Sequence, residues 1–188
     1  MTELSIPELS LVLLVGVTGS GKSTFARAHF KPTEVISSDF CRGLVADDEN
    51  DQSATPAAFE LLRFIVGQRL KAGRLTVVDA TNVQPEARRD LVLVAREYDV
   101  LPVAIVLDLP ERLCAERNAQ RPERDFGPHV VRNQQRQLKR GLRSTSAASS
   151  CGETNHALMS LWKATGNSLS MRSSTGNGFS MKVMAKGL

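Results

Sequence analysis

Aromatic residues are scarce in this chain: seven Phe, one Tyr and one Trp among 188 residues. So few rings leave no evident stacking platform for single-stranded nucleic acid, although Phe40 stands where it could meet a terminal nucleoside. Cysteine is equally sparse. Cys41, Cys114 and Cys151 form no paired or metal-spacing pattern, which argues against a disulfide framework and fits a reducing, cytoplasmic compartment. The histidines, His29, His129 and His156, make no cluster with them, so no zinc site is expected. Long apolar runs are missing too. The longest, Leu11 to Val15, is far too short to cross a bilayer, and the acidic start MTELSIPELS lacks the basic opening of a signal peptide. No membrane partner is expected.

A strong charge of one sign is also lacking where it would matter. The net charge is +4, but residues 1–143 hold 20 basic and 19 acidic side chains. Any case for an anionic partner therefore rests on where individual arginines stand, not on the total.

What the chain does have is alternation. LSLVLLVG, EVISS, LTVVDAT and LPVAIVLDL read as four buried strands. Between them GKSTFARAHF, TPAAFELLRFIVGQRLKAG and QPEARRDLVLVAREY read as helices. In the second helix Phe59, Leu62, Ile65, Val66 and Leu70 recur at three- and four-residue spacing, with Gly73 as its C-terminal cap. Pro110 suits the first position of a further helix, and an arginine-rich polar helix follows the break RPERDFGP. The expected fold is α/β: a doubly wound parallel sheet of about four to five strands with an arginine-bearing lid. Residues 1–143 form that domain. Residues 144–188 are serine-rich, lack a helical or strand period, and have LMSLW as their one appreciable apolar cluster. They are expected to be disordered or poorly packed.

GVTGSGKS, residues 16–23, fits G-x-x-x-x-G-K-[ST] and stands between a strand and a helix, the context that motif requires. Its backbone amides around Gly16, Thr18, Gly19, Ser20 and Gly21 and the helix start at Thr24 suit phosphate oxygens. Lys22 supplies a point charge for the β- and γ-phosphates and Ser23 a hydroxyl ligand for Mg²⁺, which makes a nucleoside triphosphate the expected ligand. The segment VISSDFCRGL delivers Asp39 to the carboxyl end of the second strand, the rim where ligands of such sheets bind. If a helix begins near Ser38, Asp39 and Arg42 share one face. They are then either a general base with a phosphate-holding partner or a first-turn acid with an incidental ion pair. Asp79 in VVDATN is either an acid that holds Mg²⁺ directly or through water, or a strand-end acid making turn hydrogen bonds. Arg117, Arg121 and Arg124 are either mobile cations that close over a transferring phosphoryl group or a solvated helix face.

The run IPELSLVLLVGVTGSGKSTFARAHFKPTEVISSDFCRGLVADDENDQSAT, with LTVVDATNVQPEARRDL and LPERLCAERNAQRPER, resembles the kinase domain of bacterial polynucleotide kinase-phosphatase, an RNA-repair enzyme. The resemblance covers roughly the first three-quarters of the chain, and S-S-D-x-x-R followed by DDENDQ is its most specific part. It implies transfer of the γ-phosphoryl of ATP, with Mg²⁺, to 5′-OH ends of RNA or DNA. It makes Lys22 and Ser23 the phosphate and magnesium residues, Asp39 the general base and Arg42 the acceptor contact. Arg117 becomes the essential arginine beyond the fourth strand, with Arg121 and Arg124 as lid cations. Relatives add metallophosphatase and nucleotidyltransferase modules, whose His and Asp ligands this chain does not supply. They also follow the polar helix with an edge strand, for which residues 144–188 show no pattern, and a truncated or frame-altered tail is the expectation. Two alternatives stand beside this reading: a P-loop kinase of a small metabolite, and an impaired ATP-binding remnant that docks repair partners. Repair complexes or self-association are compatible with either.

Overall fold

In a computed structural model of the chain the described residues are 3–4, 6–121, 127–148, 160–165, 168–172 and 183–184. The elements run in the order β1 (Glu3–Leu4), β2 (Ser10–Val15), α1 (Lys22–His29), β3 (Val35–Ser37), α2 (Ser38–Ala46), α3 (Thr55–Lys71) and β4 (Thr76–Asp79). They continue as α4 (Pro85–Glu97), β5 (Leu101–Leu107), α5 (Glu111–Ala119), α6 (Pro128–Ala148), β6 (Ser160–Thr165), β7 (Ser168–Arg172) and β8 (Val183–Met184). All four strands read from the sequence are present, and the expected helices fall on α1, α3, α4, α5 and α6. A helix does begin at Ser38, capped by the Ser37 hydroxyl, which accepts from the amide of Phe40 at 3.4 Å. Pro110 is the N-cap of α5 rather than its first helical residue.

The main sheet has the order β3-β4-β2-β5-β6-β7. Its neighbours pair in parallel from β3 through β6, and β7 closes the far edge antiparallel to β6. This is the doubly wound α/β arrangement that the alternation predicts. Strands β2 and β4 are buried at every position, and so is β5 after its first residue. Such near-continuous apolar runs are what a sheet covered on both faces demands. The chain leaves β2 toward β4 and β3, then returns to place β5 on the other side of β2. That reversal opens a crevice beyond the carboxyl ends of β2 and β5.

Helix α3 buries Ala58, Leu62, Val66, Gly67 and Leu70, a stripe at the helical period. Phe59 and Ile65, expected on that stripe, lie beside it and are half-buried. Gly73 adopts φ +65° and its amide donates to the Leu70 carbonyl at 2.9 Å, stopping the helix.

The far edge differs from the expectation for residues 144–188. Ser160–Thr165 pairs with Val103–Leu107 of β5, although its sequence shows no strand period. An open β5 edge presents a row of unpaired amides and carbonyls, and a ladder can satisfy them with backbone alone. The small ladder β1–β8 joins Glu3–Leu4 to Val183–Met184. Ser168–Arg172 pairs antiparallel with Ser160–Thr165, the end of α6 reaches Ala148, and residues 149–159, 166–167, 173–182 and 185–188 lie outside the described residues. Among the described residues, no helix is long and apolar enough to cross a membrane.

The crevice owes its shape to a close approach. Gly19, at φ +77°, lies against α5 so tightly that a β-carbon there would meet the Cys114 carbonyl oxygen at 2.2 Å. Gly73 has a similar φ with nothing within 4 Å of the same position. Gly73→Ala should therefore cost only the left-handed backbone penalty, about 1–2 kcal/mol. Gly19→Ala should add overpacking against α5 for a loss of about 3 kcal/mol or more. Urea denaturation of the two variants measures the difference, and equal losses would mean that α5 yields to the loop.

Candidate functional site

The strand β2 is apolar to Val15, and the chain then turns on the glycines of residues 16–21. Gly16 donates its amide to the Thr81 carbonyl at 3.0 Å, which ties the turn to the end of β4. Ser20 donates to the Val17 carbonyl at 3.1 Å, and Gly21, at φ +88°, begins α1. The Lys22 ammonium lies inside the turn it follows, donating to the carbonyls of Gly16 at 2.9 Å and Val17 at 2.8 Å. The loop is thus wrapped around its own cation, with the N-terminus of α1 opening toward the crevice.

A cavity of about 160 Å³ occupies this crevice. From the residues singled out in the sequence it gathers Thr18, Gly19, Gly21, Lys22, Ser23, Asp39, Arg42, Asp79 and Arg121. Four others do not line it. Gly16 lies at the root of the loop, where a β-carbon would meet the Ser20 hydroxyl oxygen at 2.6 Å, and Ser20 is itself fully buried. Thr24 is exposed on α1 and Arg117 is half-buried on α5. Arg124 lies outside the described residues.

The Asp39–Arg42 pair sits on the first turns of α2. One Arg42 nitrogen donates to the Asp39 carboxylate, and another donates to the Glu49 carbonyl at 2.7 Å. Its third, Nε, is buried with no partner. Arg42, 8% exposed, therefore fastens Glu49 to α2 and also lines the cavity. Ser38 adds a 3.4 Å contact from its hydroxyl to Asp39. This places a carboxylate and a guanidinium in the same cavity as Lys22 and Ser23.

Behind Asp79, the β4–α4 turn is built from polar tethers. Asn82 is left-handed at φ +47°, and its side-chain Nδ2 donates to the Leu14 carbonyl at 2.9 Å. Arg88, also buried, donates to the carbonyls of Asn82 at 2.7 Å and Val83 at 3.0 Å. Burial pushes the Arg88 guanidinium below its usual pKa, with Glu86 acting the other way. Helix α6 packs on the same guanidinium at Gly141, where a β-carbon would come within 2.8 Å of Nη2. Arginine 88 and Asn82 thus hold the β4 rim against β2. Cys114 lies next to the loop, but burial raises its thiol pKa, partly offset by Lys22 and Arg117.

Sequence reasoning missed several residues of the cavity wall: Ser38, Gln52, Thr55, Phe59 and Gln134. Gln52 closes the DDENDQ segment, which was singled out only for its resemblance and without a role for this residue, and Thr55 lies three residues beyond it. Gln134 lies in a polar helix where one glutamine among many carries no signal, yet its side-chain oxygen accepts the Thr18 amide at 2.8 Å. Ser23 and Asp79 offer hydroxyl and carboxylate oxygens to the same cavity, a hard donor set that fits Mg²⁺ together with nucleotide phosphates and water.

A family model described as an AAA domain, AAA_33, matches residues 11–145. Among curated proteins, an L-seryl-tRNA(Sec) kinase of Methanococcus maripaludis is 29% identical over 128 residues, covering 65% of this chain and 50% of that protein. A protein named transcription factor bHLH140, of Arabidopsis thaliana, is 31% identical over 112 residues, covering 59% of this chain and 11% of that protein. The chain thus spans half or less of the length of these curated relatives. Among solved structures, the Pnkp1/Rnl/Hen1 RNA repair complex has a chain that superposes with a TM-score of 0.62 at 24% identity, covering 74% of this chain and 47% of that one. The APS kinase CysC of Mycobacterium tuberculosis, in complex with AMPPNP and APS, gives a TM-score of 0.50 at 18% identity, covering 85% and 90%. The glycine-rich turn around Lys22 and the parallel sheet that carries it fall within the matched residues, and the chain belongs to the AAA_33 family, with the α/β fold of P-loop kinases.

Proposed function

We propose that this P-loop kinase domain transfers the γ-phosphoryl group of ATP to the 5′-hydroxyl end of RNA or DNA. The observation that carries the reading is the placement of Asp39 and Arg42 in the same cavity as Lys22, Ser23 and Asp79. A phosphotransferase needs a donor half and an acceptor half facing each other, and these two sets supply them. The names of two relatives also put RNA beside this fold, one an L-seryl-tRNA kinase and one from an RNA repair complex.

In this reading the acceptor hydroxyl lies against the Asp39 carboxylate, which takes its proton as the oxygen attacks the γ-phosphorus in line. The bond from the γ-phosphorus to the β,γ-bridging oxygen breaks, and ADP leaves. Arg42 is held rigid by Glu49, and its buried Nε–H suits a phosphate already borne by a polynucleotide acceptor. Lys22 holds the phosphates of the donor, and Arg121 reaches the cavity from the end of α5 to offset charge on the transferring group. Ser23 and Asp79 would hold Mg²⁺, which when bound neutralises charge on the β- and γ-phosphates. Arg117, off the cavity wall, acts only if α5 shifts when nucleotide binds.

A small-metabolite kinase is the second reading, supported by the fold shared with an APS kinase. Arg42 weighs against a neutral metabolite, which offers no adjacent phosphate. Docking to other repair proteins is a further proposal, supported by the complex in which the structural neighbour was solved.

Label transfer from γ-labelled ATP tests the main reading. The wild-type chain should phosphorylate a 5′-OH RNA or DNA oligonucleotide and leave free nucleosides and sugars unlabelled; transfer to a small molecule alone would decide for the second reading. Asp39→Ala should lower the rate about 10²–10⁴-fold while ATP binding persists. ATP binding by the wild type with no transfer to any acceptor would instead support an impaired remnant. Arg42→Lys cannot serve both Asp39 and Glu49 with a planar fork. It should raise KM for the oligonucleotide about tenfold or more with KM for ATP little changed. An equal rise in both would place Arg42 in the general architecture instead of the acceptor site.

A further inference from the structure

Two neighbouring glutamines of α6 do different things. Gln135 is buried, and its amide nitrogen reaches the Asp108 carboxylate and the Leu109 carbonyl, each at 3.4 Å. It fastens α6 to the end of β5. Gln134 is half-buried and turns the other way, into the cavity. Its carboxamide oxygen accepts the Thr18 amide at 2.8 Å, across 116 residues of chain. The Thr18 hydroxyl lies 3.3 Å from the Asn118 side-chain oxygen, so α5 meets the same residue.

Thr18 is the third residue of the glycine-rich loop, whose amides are the groups a bound phosphate uses. In this structure a protein carbonyl holds one of them. We propose that Gln134 sets the nucleotide affinity of the site: its carboxamide is a resident surrogate for a phosphate oxygen, and an incoming nucleotide must displace it from the Thr18 amide. The inference rests on the reading of this loop as the nucleotide site.

The chemistry favours exchange. A neutral carbonyl forms a weaker bond to an amide than an anionic phosphate oxygen does, so the phosphate wins the position once it arrives. The carboxamide meanwhile keeps the amide paired while the site is empty, avoiding an unsatisfied donor in a partly buried place. Because Gln135 secures α6 separately, Gln134 can release the loop by rotating its own side chain, without the helix undocking.

Calorimetric titration of the full chain with ATP and Mg²⁺ tests the proposal through the sign of the change. Gln134→Ala and Gln134→Leu remove the competitor and should bind ATP roughly two- to tenfold more tightly than the wild type, the range set by one neutral hydrogen bond. Gln134→Glu replaces it with an anionic competitor and should bind more weakly, by about tenfold or more. Opposite changes among variants of one position cannot come from a shared loss of folding. Weaker binding by the Ala and Leu variants would make Gln134 a nucleotide ligand and overturn the proposal. Affinities within twofold of the wild type would overturn it as well. A wild-type chain that binds no ATP would remove the nucleotide-site reading itself, a different failure from wild-type binding with unchanged variants.

Discussion

Everything in the site depends on a turn with no room for a side chain. The loop leaving β2 must pass beneath α5 and still present its amides to the crevice. It manages this because Gly19 brings backbone to within a β-carbon's reach of the Cys114 carbonyl. That contact fixes the distance between the loops that follow β2 and β5, the two strands between which the sheet reverses direction. The Lys22 ammonium reinforces the turn from within by bonding the Gly16 carbonyl and the Val17 carbonyl, the second of which also accepts the Ser20 amide. The same cation that suits nucleotide phosphates therefore also holds the loop in shape.

The β4 side of the cavity is fixed by different means. Asp79 ends a fully buried strand, and the chain must then turn away without disturbing the glycine-rich loop beside it. The turn is held by side chain to backbone bonds: Asn82 to the Leu14 carbonyl, and Arg88 to the carbonyls of Asn82 and Val83. A buried guanidinium is expensive to desolvate, and Arg88 is shifted accordingly. Its several donors nevertheless satisfy adjacent carbonyls that no strand or helix would reach. Because α6 also packs on Arg88 through Gly141, one side chain links the wall behind Asp79 to the helix that bears Gln134.

How much of this the sequence disclosed depended on whether a feature was local. The strands at Ser10–Val15, Thr76–Asp79 and Leu101–Leu107 were legible because burial on both faces demands continuous apolar runs. The glycine-rich loop was legible because its constraint acts within eight residues. Asp39 and Arg42 could be paired because a helix start fixes the i, i+3 relation. Contacts across the chain left no such mark. Nothing in the polar run around Gln134 signals that one carboxamide meets Thr18, and nothing in QPEARRDL says that Arg88 rather than Arg89 turns inward. The strand at Ser160–Thr165 was missed for another reason. Its pairing is supplied by the open edge of β5 and needs no period of its own.

The two halves of the cavity also differ in how freely they could change. The half built from residues 16–23 and Asp79 is locked into the central strands, so substitutions there would disturb the sheet as well as the ligand. The half that holds Asp39 and Arg42 rests on β3, a three-residue strand, and on the loop after α2. Arg42 joins them by dividing its donors between Asp39 and the Glu49 carbonyl. A change in the length or caps of residues 47–54 would therefore reposition the guanidinium and reshape this side of the cavity, leaving β2 and β4 untouched.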